Sequence, residues 1–357
     1  MMRNYSQLFL YVLIIIFWIS LIAAWLWSPL IINAIKTRKS ITVFLPALTI
    51  DPQVIKKFET ETGITTYITY YENPGALLSK LAASKGHGYD LIFADDHSME
   101  QLVHKNMLAT IDATKFSFFK NLDPLIAQNN YYDTQLLYTL PYYSTLYGII
   151  YNKQFFADAG LQSPQDWSLL FNPPPLLRGR VCMTDDPREA FLLASLYKYG
   201  SPEALKQVSS QQEIVALLRA QKKSVDVYSI ERADVLMQTE SCLIGVLVSS
   251  DAWRLQKKSK KIGYVIPAQG TFIGIYSFAI IATSAKQHYA TQLLEFLFKP
   301  EIMKHHQLSY GYNVNSTVVE KAPDIVSIHD FKEMPIHFFA NVISDPVLNQ
   351  LWIKVLS

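Results

Sequence analysis

Between residues 41 and 105 the chain alternates three times between a short strand-like run and an amphipathic helix. No other feature restricts its possible folds as much. Residues 41–45 read as a buried strand. The helical stretch 51–62 carries apolar residues at Val54, Ile55 and Phe58 and ends on Gly63, a residue suited to the left-handed position that closes a helix. Residues 65–71 are β-branched and aromatic and predict a second strand; residues 73–84 predict a helix with Leu77, Leu78 and Leu81 on one face. Residues 89–94 and 98–105 give a third pair. Strands joined through helices at this spacing lie parallel, with helices over both faces. Ligands in such sheets bind beyond the carboxyl ends of the strands, which singles out loops 46–50 and 95–98 and the turn at Asp185–Asp186. Further strands are predicted at 242–248 and 273–282, and further helices at 290–298 and 345–355.

The first 39 residues read as a leader. No charged side chain occurs from Asn4 to Ile35, and residues 8–26 are nearly all apolar. About twenty apolar residues at ~1.5 Å rise span a hydrocarbon core of ~30 Å. Trp25 and Trp27 suit a membrane interface, and Lys36, Arg38 and Lys39 follow. Ala23-Ala24 is followed by Trp25 rather than by a small-x-small cleavage site, so an uncleaved signal anchor is expected. The basic residues after the span, counted alone, would keep the globular part in the cytoplasm. The identity of that part decides the side.

In the middle of the chain, Arg180–Phe191 reads Arg-Val-Cys-Met-Thr-Asp-Asp-Pro-Arg-Glu-Ala-Phe. This is a strand running into a helix, with Asp186 as N-cap, Pro187 in the first helical position and Glu189 in the third. Two readings stay open: a capping box alone, or a carboxylate pair facing a cleft and holding a cation. Cys182 and Cys242, the only cysteines, each lie in an apolar run. They are either buried thiols or, if their strands adjoin in an oxidising compartment, a disulfide. A net charge of +2 without a basic, aromatic-interleaved stripe gives no support to nucleic-acid binding. Lys257–Lys261 reads as a solvated run. The sequence has no Gly-x-Ser-x-Gly, Walker loop, Gly-x-Gly-x-x-Gly or His-Glu-x-x-His motif, and no zinc spacing, so no enzyme, cofactor or metal site is expected.

Residues 41–112, with "FETETGI", "YDLIFADD" and "LATID" in order, resemble the spermidine/putrescine-binding periplasmic proteins, the polyamine-binding subunits of ABC importers. The likeness continues through "NLDP" (121–124), "LPYY" (140–143), "MTDDPREAF" (183–191), "YSFAIIATSAK" (276–286), "LEFLFKPEI" and "GYNVN" (311–315). It implies an α/β, two-lobed periplasmic binding protein fold of type II behind the N-terminal anchor helix. The leader is 1–39, the first lobe 40–140 plus 276–335, and the second lobe 141–275 plus 336–357.

The family's acidic pair falls on Asp186 and Glu189, and its loop tyrosine on Tyr312. Elsewhere this chain departs from the family pattern. Pro46 and Thr49 replace aromatic residues of the first loop, and Val248 replaces a tryptophan. Gly274 and Tyr276 replace a tryptophan and an aspartate, while Asp95 and His97 replace a serine and a tyrosine. Asp95 and Asp96 bring negative charge to the cleft, and Tyr142, Tyr143 and Tyr276 bring rings. The expected ligand-binding set is therefore Asp186, Glu189, Asp95, Asp96, His97, Tyr142, Tyr143, Tyr276, Tyr312 and Thr49.

By this resemblance the protein is a monomeric, periplasm-facing binding protein. It is tethered to the inner membrane, needs no cofactor, and hands a polyamine-like cation to an ABC permease. The alternatives are the same trap with another small cationic or amino-acid-like ligand, or a membrane-tethered receptor without a transport role.

Overall fold

The computed structural model describes residues 13–23, 39–229, 232–339 and 342–357. Residues 13–23 are helical and exposed. The rest of the expected anchor lies outside the described residues. Among those described, no helix is long and apolar enough to cross a membrane.

The opening βα units form where the punctuation places them. Strand β1 (Ser40–Pro46) leads to helix α1 (Pro52–Thr62), whose N-cap Asp51 accepts the amide hydrogen of Gln53 at 2.8 Å. Gly63 ends α1 at φ 69°, its N–H donating to the Glu59 carbonyl. Val54, Ile55 and Phe58 are the buried face of α1. Strand β2 (Thr65–Tyr71), helix α2 (Pro74–Ser84), strand β3 (Leu91–Asp95) and helix α3 (Asp96–His104) follow. Strand β1 pairs in parallel with both β2 and β3.

The next strand, β4 (Thr139–Asn152), is buried along its whole length. Asp133 pins its start by accepting from the backbone amides of Leu137, Tyr138 and Thr139. After β4 come β5 (Val181–Met183), helix α4 (Pro187–Tyr199), helix α5 (Val208–Lys222) and β6 (Val225–Tyr228). Then follow β7 (Ile244–Val248), helix α6 (Ser249–Lys258), β8 (Ile262–Val265) and β9 (Thr271–Ile280). Helices α7 (Gln287–Leu297) and α8 (Pro300–Tyr310), the short strands β10 (Asn313–Val314) and β11 (Ile336–Phe338), and helix α9 (Asp345–Leu356) complete the chain.

The strand order is β2-β1-β3-β9-β4-β7-β5-β6. Strand β9 runs antiparallel between β3 and β4, and β4 runs antiparallel to β7. The two long strands therefore belong to both halves of the molecule. The early part of β4 (Leu140, Tyr142, Tyr143) packs in one hydrophobic core with Phe58, Phe93, Phe278 and Leu293. Its later part (Tyr147, Ile149, Tyr151) packs in another with Trp167, Phe191, Ile244 and the C-terminal residues Leu348 and Leu351. Burying one such side chain contributes about 1.5–3 kcal/mol, and each core holds many. Strand β5 lies beside β7, and Cys182 is joined to Cys242 in a disulfide. Of the two readings of these cysteines, the structure takes the bonded one.

Candidate functional site

Two strand-to-helix turns face each other across the seam between the halves. In the first, β3 runs into α3 through Asp95, which caps the helix. Its Oδ1 accepts the Ser98 amide at 2.8 Å and its Oδ2 the Ser98 hydroxyl at 2.9 Å. Asp96, 6% exposed, accepts the His97 amide on one oxygen and the Ile275 amide of β9 on the other. Burial, with the negative Asp95 beside it, raises the Asp96 carboxyl to about 8.

In the second turn, β5 runs into α4 through Asp186. Its Oδ1 accepts the amides of Arg188 at 2.7 Å and Glu189 at 3.3 Å, and its Oδ2 takes no part in the cap. Pro187 occupies the first turn, where its missing N–H costs nothing. The reciprocal bond of a capping box does not form, because Glu189 turns elsewhere. Its Oε1 accepts from the Tyr147 hydroxyl and its Oε2 from the Thr184 hydroxyl, both at 2.5 Å. Burial first, then Asp186, raises Glu189 to about 8. Burial also raises Asp186, against the pull of Arg188.

Arg188 lies between these two carboxylates in sequence and crosses the seam. Its Nη2 donates to Asp345 Oδ1 at 2.9 Å and to His97 Nε2 at 3.0 Å. Gln101 sits 3.0 Å from the same histidine nitrogen and 3.3 Å from Asp345 Oδ2. Burial, then the Arg188 charge, pulls the His97 imidazole below its ordinary value, so it is neutral.

Rings fill the first half of the seam. Tyr276 stacks on Phe93 at 6.0 Å and on Tyr143 at 4.7 Å, and Tyr143 stacks on Tyr312 at 3.8 Å. The Tyr312 hydroxyl donates to the Leu48 carbonyl of the loop after β1, which fixes the far end of the stack.

Of the ten expected residues, Asp95, Asp96, His97, Asp186 and Glu189 come together as one polar cluster. Tyr143, Tyr276 and Tyr312 form one stack. Tyr142 stands apart: it is fully buried, with its hydroxyl 2.6 Å from His306 Nδ1 in the core of the first half. Register slips between Pro141 and Tyr143, so neighbouring tyrosines serve different purposes. Thr49 is also buried, its hydroxyl spent on the Pro46 carbonyl at 2.8 Å. The sequence reading gave no role to Arg188, Thr184 or Asp345, and counted Tyr147 only among the tyrosines. Arg188, at the second position of a helix capped by an acid, carries the one local signal that could have found it.

The family model described as bacterial extracellular solute-binding protein matches residues 53–335. The spermidine/putrescine-binding periplasmic protein of Escherichia coli K12 is 26% identical over 284 residues, 78% of each chain. The norspermidine sensor of Vibrio cholerae is 24% identical over 282 residues, 77% of this chain and 75% of its own. Among solved structures, the substrate-binding protein of a spermidine/putrescine ABC transporter from Streptococcus pneumoniae superposes with a TM-score of 0.76. Its identity is 18%, covering 89% of this chain and 98% of that one. At that identity the likeness speaks for the two-domain α/β fold alone.

Proposed function

The chain belongs to the bacterial extracellular solute-binding proteins, and we propose that it captures a polyamine-like cation between its two lobes and delivers it to the permease of an ABC importer. One observation carries the reading: Asp186 and Glu189 stand at the start of α4, at the seam, with Asp95 and Asp96 opposite. An ammonium needs charge-assisted hydrogen bonds of about 1.5–3 kcal/mol each. Asp186 Oδ2 lies outside the cap, and each Glu189 oxygen keeps a lone pair beyond its hydroxyl partner. Tyr276 and the rings behind it offer an apolar wall for a methylene stem.

The named relatives bind polyamines in the periplasm, and this location is part of the reading. So are the lobe limits of 40–140 plus 276–335 and 141–275 plus 336–357, a monomeric state, and a tether through the apolar leader. The reading is of a binding protein, not an enzyme. Calorimetric titration with putrescine, cadaverine and spermidine tests it, and the absence of saturable binding by all three overturns it.

A second reading is a tethered receptor, favoured by the likeness to a norspermidine sensor and by the leader's lack of a cleavage site. Labelled polyamine uptake in cells lacking this protein separates the two: uptake falls if it serves a permease and persists if it serves a receptor.

A further inference from the structure

The Arg188–His97 contact has a chemical consequence for the ligand. Arg188 is 6% exposed, its side chain set among Phe191, Leu192 and Leu348. A guanidinium only donates. Its Nη2, 3.0 Å from His97 Nε2, therefore obliges that nitrogen to accept. A neutral imidazole that accepts on Nε2 carries its proton on Nδ1. Two donors then remain, one from each side of the seam: Arg188 Nη1 and His97 Nδ1. Both are buried, and neither has a hydrogen-bond partner in the protein. A buried donor left unmade is costly, and these two flank the bond that ties α4 to α3.

We propose that Arg188 and His97 form an acceptor subsite, receiving a neutral oxygen carried by the cationic ligand. The preferred ligand is then an amine bearing a carbonyl, amide or hydroxyl group near one end, rather than a plain polymethylene amine. The inference rests on the cation-binding reading above and narrows its substrate class. Charge decides for a neutral oxygen over a carboxylate. Arg188 is already paired with Asp345 at 2.9 Å. Asp95, Asp186 and Asp345 all act on His97, and Asp96 stands near enough to feel Arg188. A further anion would be repelled by these groups, whereas an amide or hydroxyl oxygen meets the two donors without adding charge.

Cadaverine, lysinamide and lysine test this, since they share one skeleton and carry hydrogen, carboxamide or carboxylate at a single carbon. Each is titrated calorimetrically into the full-length protein and into its His97→Phe and Arg188→Lys variants. The expected result is lysinamide binding about tenfold or more tighter than cadaverine, and tighter than lysine, an effect of the size of one good hydrogen bond to a charged donor. In both variants the lysinamide-to-cadaverine ratio should fall toward one, whatever happens to absolute affinity through the lost contact between lobes.

Cadaverine binding as tightly as lysinamide overturns the inference and leaves the polyamine reading standing, and this comparison needs no variant to fold. Lysine binding tighter than lysinamide overturns the neutral-oxygen assignment. A ratio unchanged in both variants removes Arg188 and His97 from the subsite. Failure of all three ligands and of spermidine overturns the polyamine reading and the inference together.

Discussion

The turns at Asp95 and Asp186 are built alike and differ in what they leave over. Each ends a buried strand, caps a helix with an aspartate, and sets a second carboxylate within three residues. At Asp95 both oxygens go to Ser98, and at Asp96 both go to backbone amides. At Asp186 one oxygen caps two amides, and Glu189 takes only hydroxyl partners. The first turn is nearly self-satisfied, while the second keeps capacity for a ligand. Two sites with the same acidic composition can therefore differ in function, and the difference lies in how many lone pairs local structure has already used.

The halves also differ covalently, and that yields the largest expected effect. The disulfide closes a segment of 60 residues within the second half, and among the described residues the first half has no such bond. Replacing both cysteines with serine should lower stability by about 2–5 kcal/mol, read from urea unfolding. Ligand affinity of the folded variant should stay within a few-fold. A cysteine-free variant that folds normally but has lost binding would show that the staple shapes the site itself.

Next in size, Asp186→Asn keeps a good N-cap but removes the negative charge. Affinity for the best amine should fall by about 1.5–3 kcal/mol, roughly ten- to a hundredfold, with Tm held. Glu189→Gln should behave similarly. Unchanged titrations in both would reduce the second turn to a capping device like the first.

A smaller effect concerns pH. The carboxyls of Asp96 and Glu189 sit at about 8 in the folded protein, against ordinary values of 3.8 and 4.5. Between these limits the folded state holds more protons than the unfolded state, so stability is greatest at the acidic end and falls as pH rises toward 8. Thermal melts of the ligand-free protein over roughly pH 5 to 8 should show Tm declining. Asp96→Asn should flatten the slope by removing one of the two groups. A Tm that rises over that range would place charged, paired carboxylates at the seam.

The smallest effect is expected at Asp95→Asn. The amide still accepts the Ser98 amide hydrogen, so stability should shift by no more than a few tenths of a kcal/mol and affinity by less than about threefold. A loss matching that of Asp186→Asn would erase the distinction between the turns.

What could be read from the sequence was what is local. Asp51, Pro52 and Gly63 bracket α1 because capping, ring closure and left-handed backbone act within a few residues. The turn at Asp186 was legible for the same reason. The placement of β9 between β3 and β4 was not, since pairing Phe93 with Phe278 depends on the whole intervening chain. Nor was the Arg188 bridge, whose partners His97 and Asp345 lie 91 and 157 residues away in sequence. Tyr142 and Tyr143 are chemically identical neighbours. A register slip sends one to His306 and the other onto Tyr276 and Tyr312, and composition carries no trace of that choice.

The late arrival of β9 also bears on how the chain assembles. Until residues 271–280 exist, β3 is paired on one side only, and the early part of β4 lacks the strand that ties it to the first sheet. A nascent chain ending before Thr271 would expose both edges, and open strand edges invite pairing with other chains. Closing so long a loop before its contacts can reward it is slow. The first half, though synthesised first, cannot finish first: the strand that completes its sheet comes after nearly all of the second, and the two halves gain their stability together.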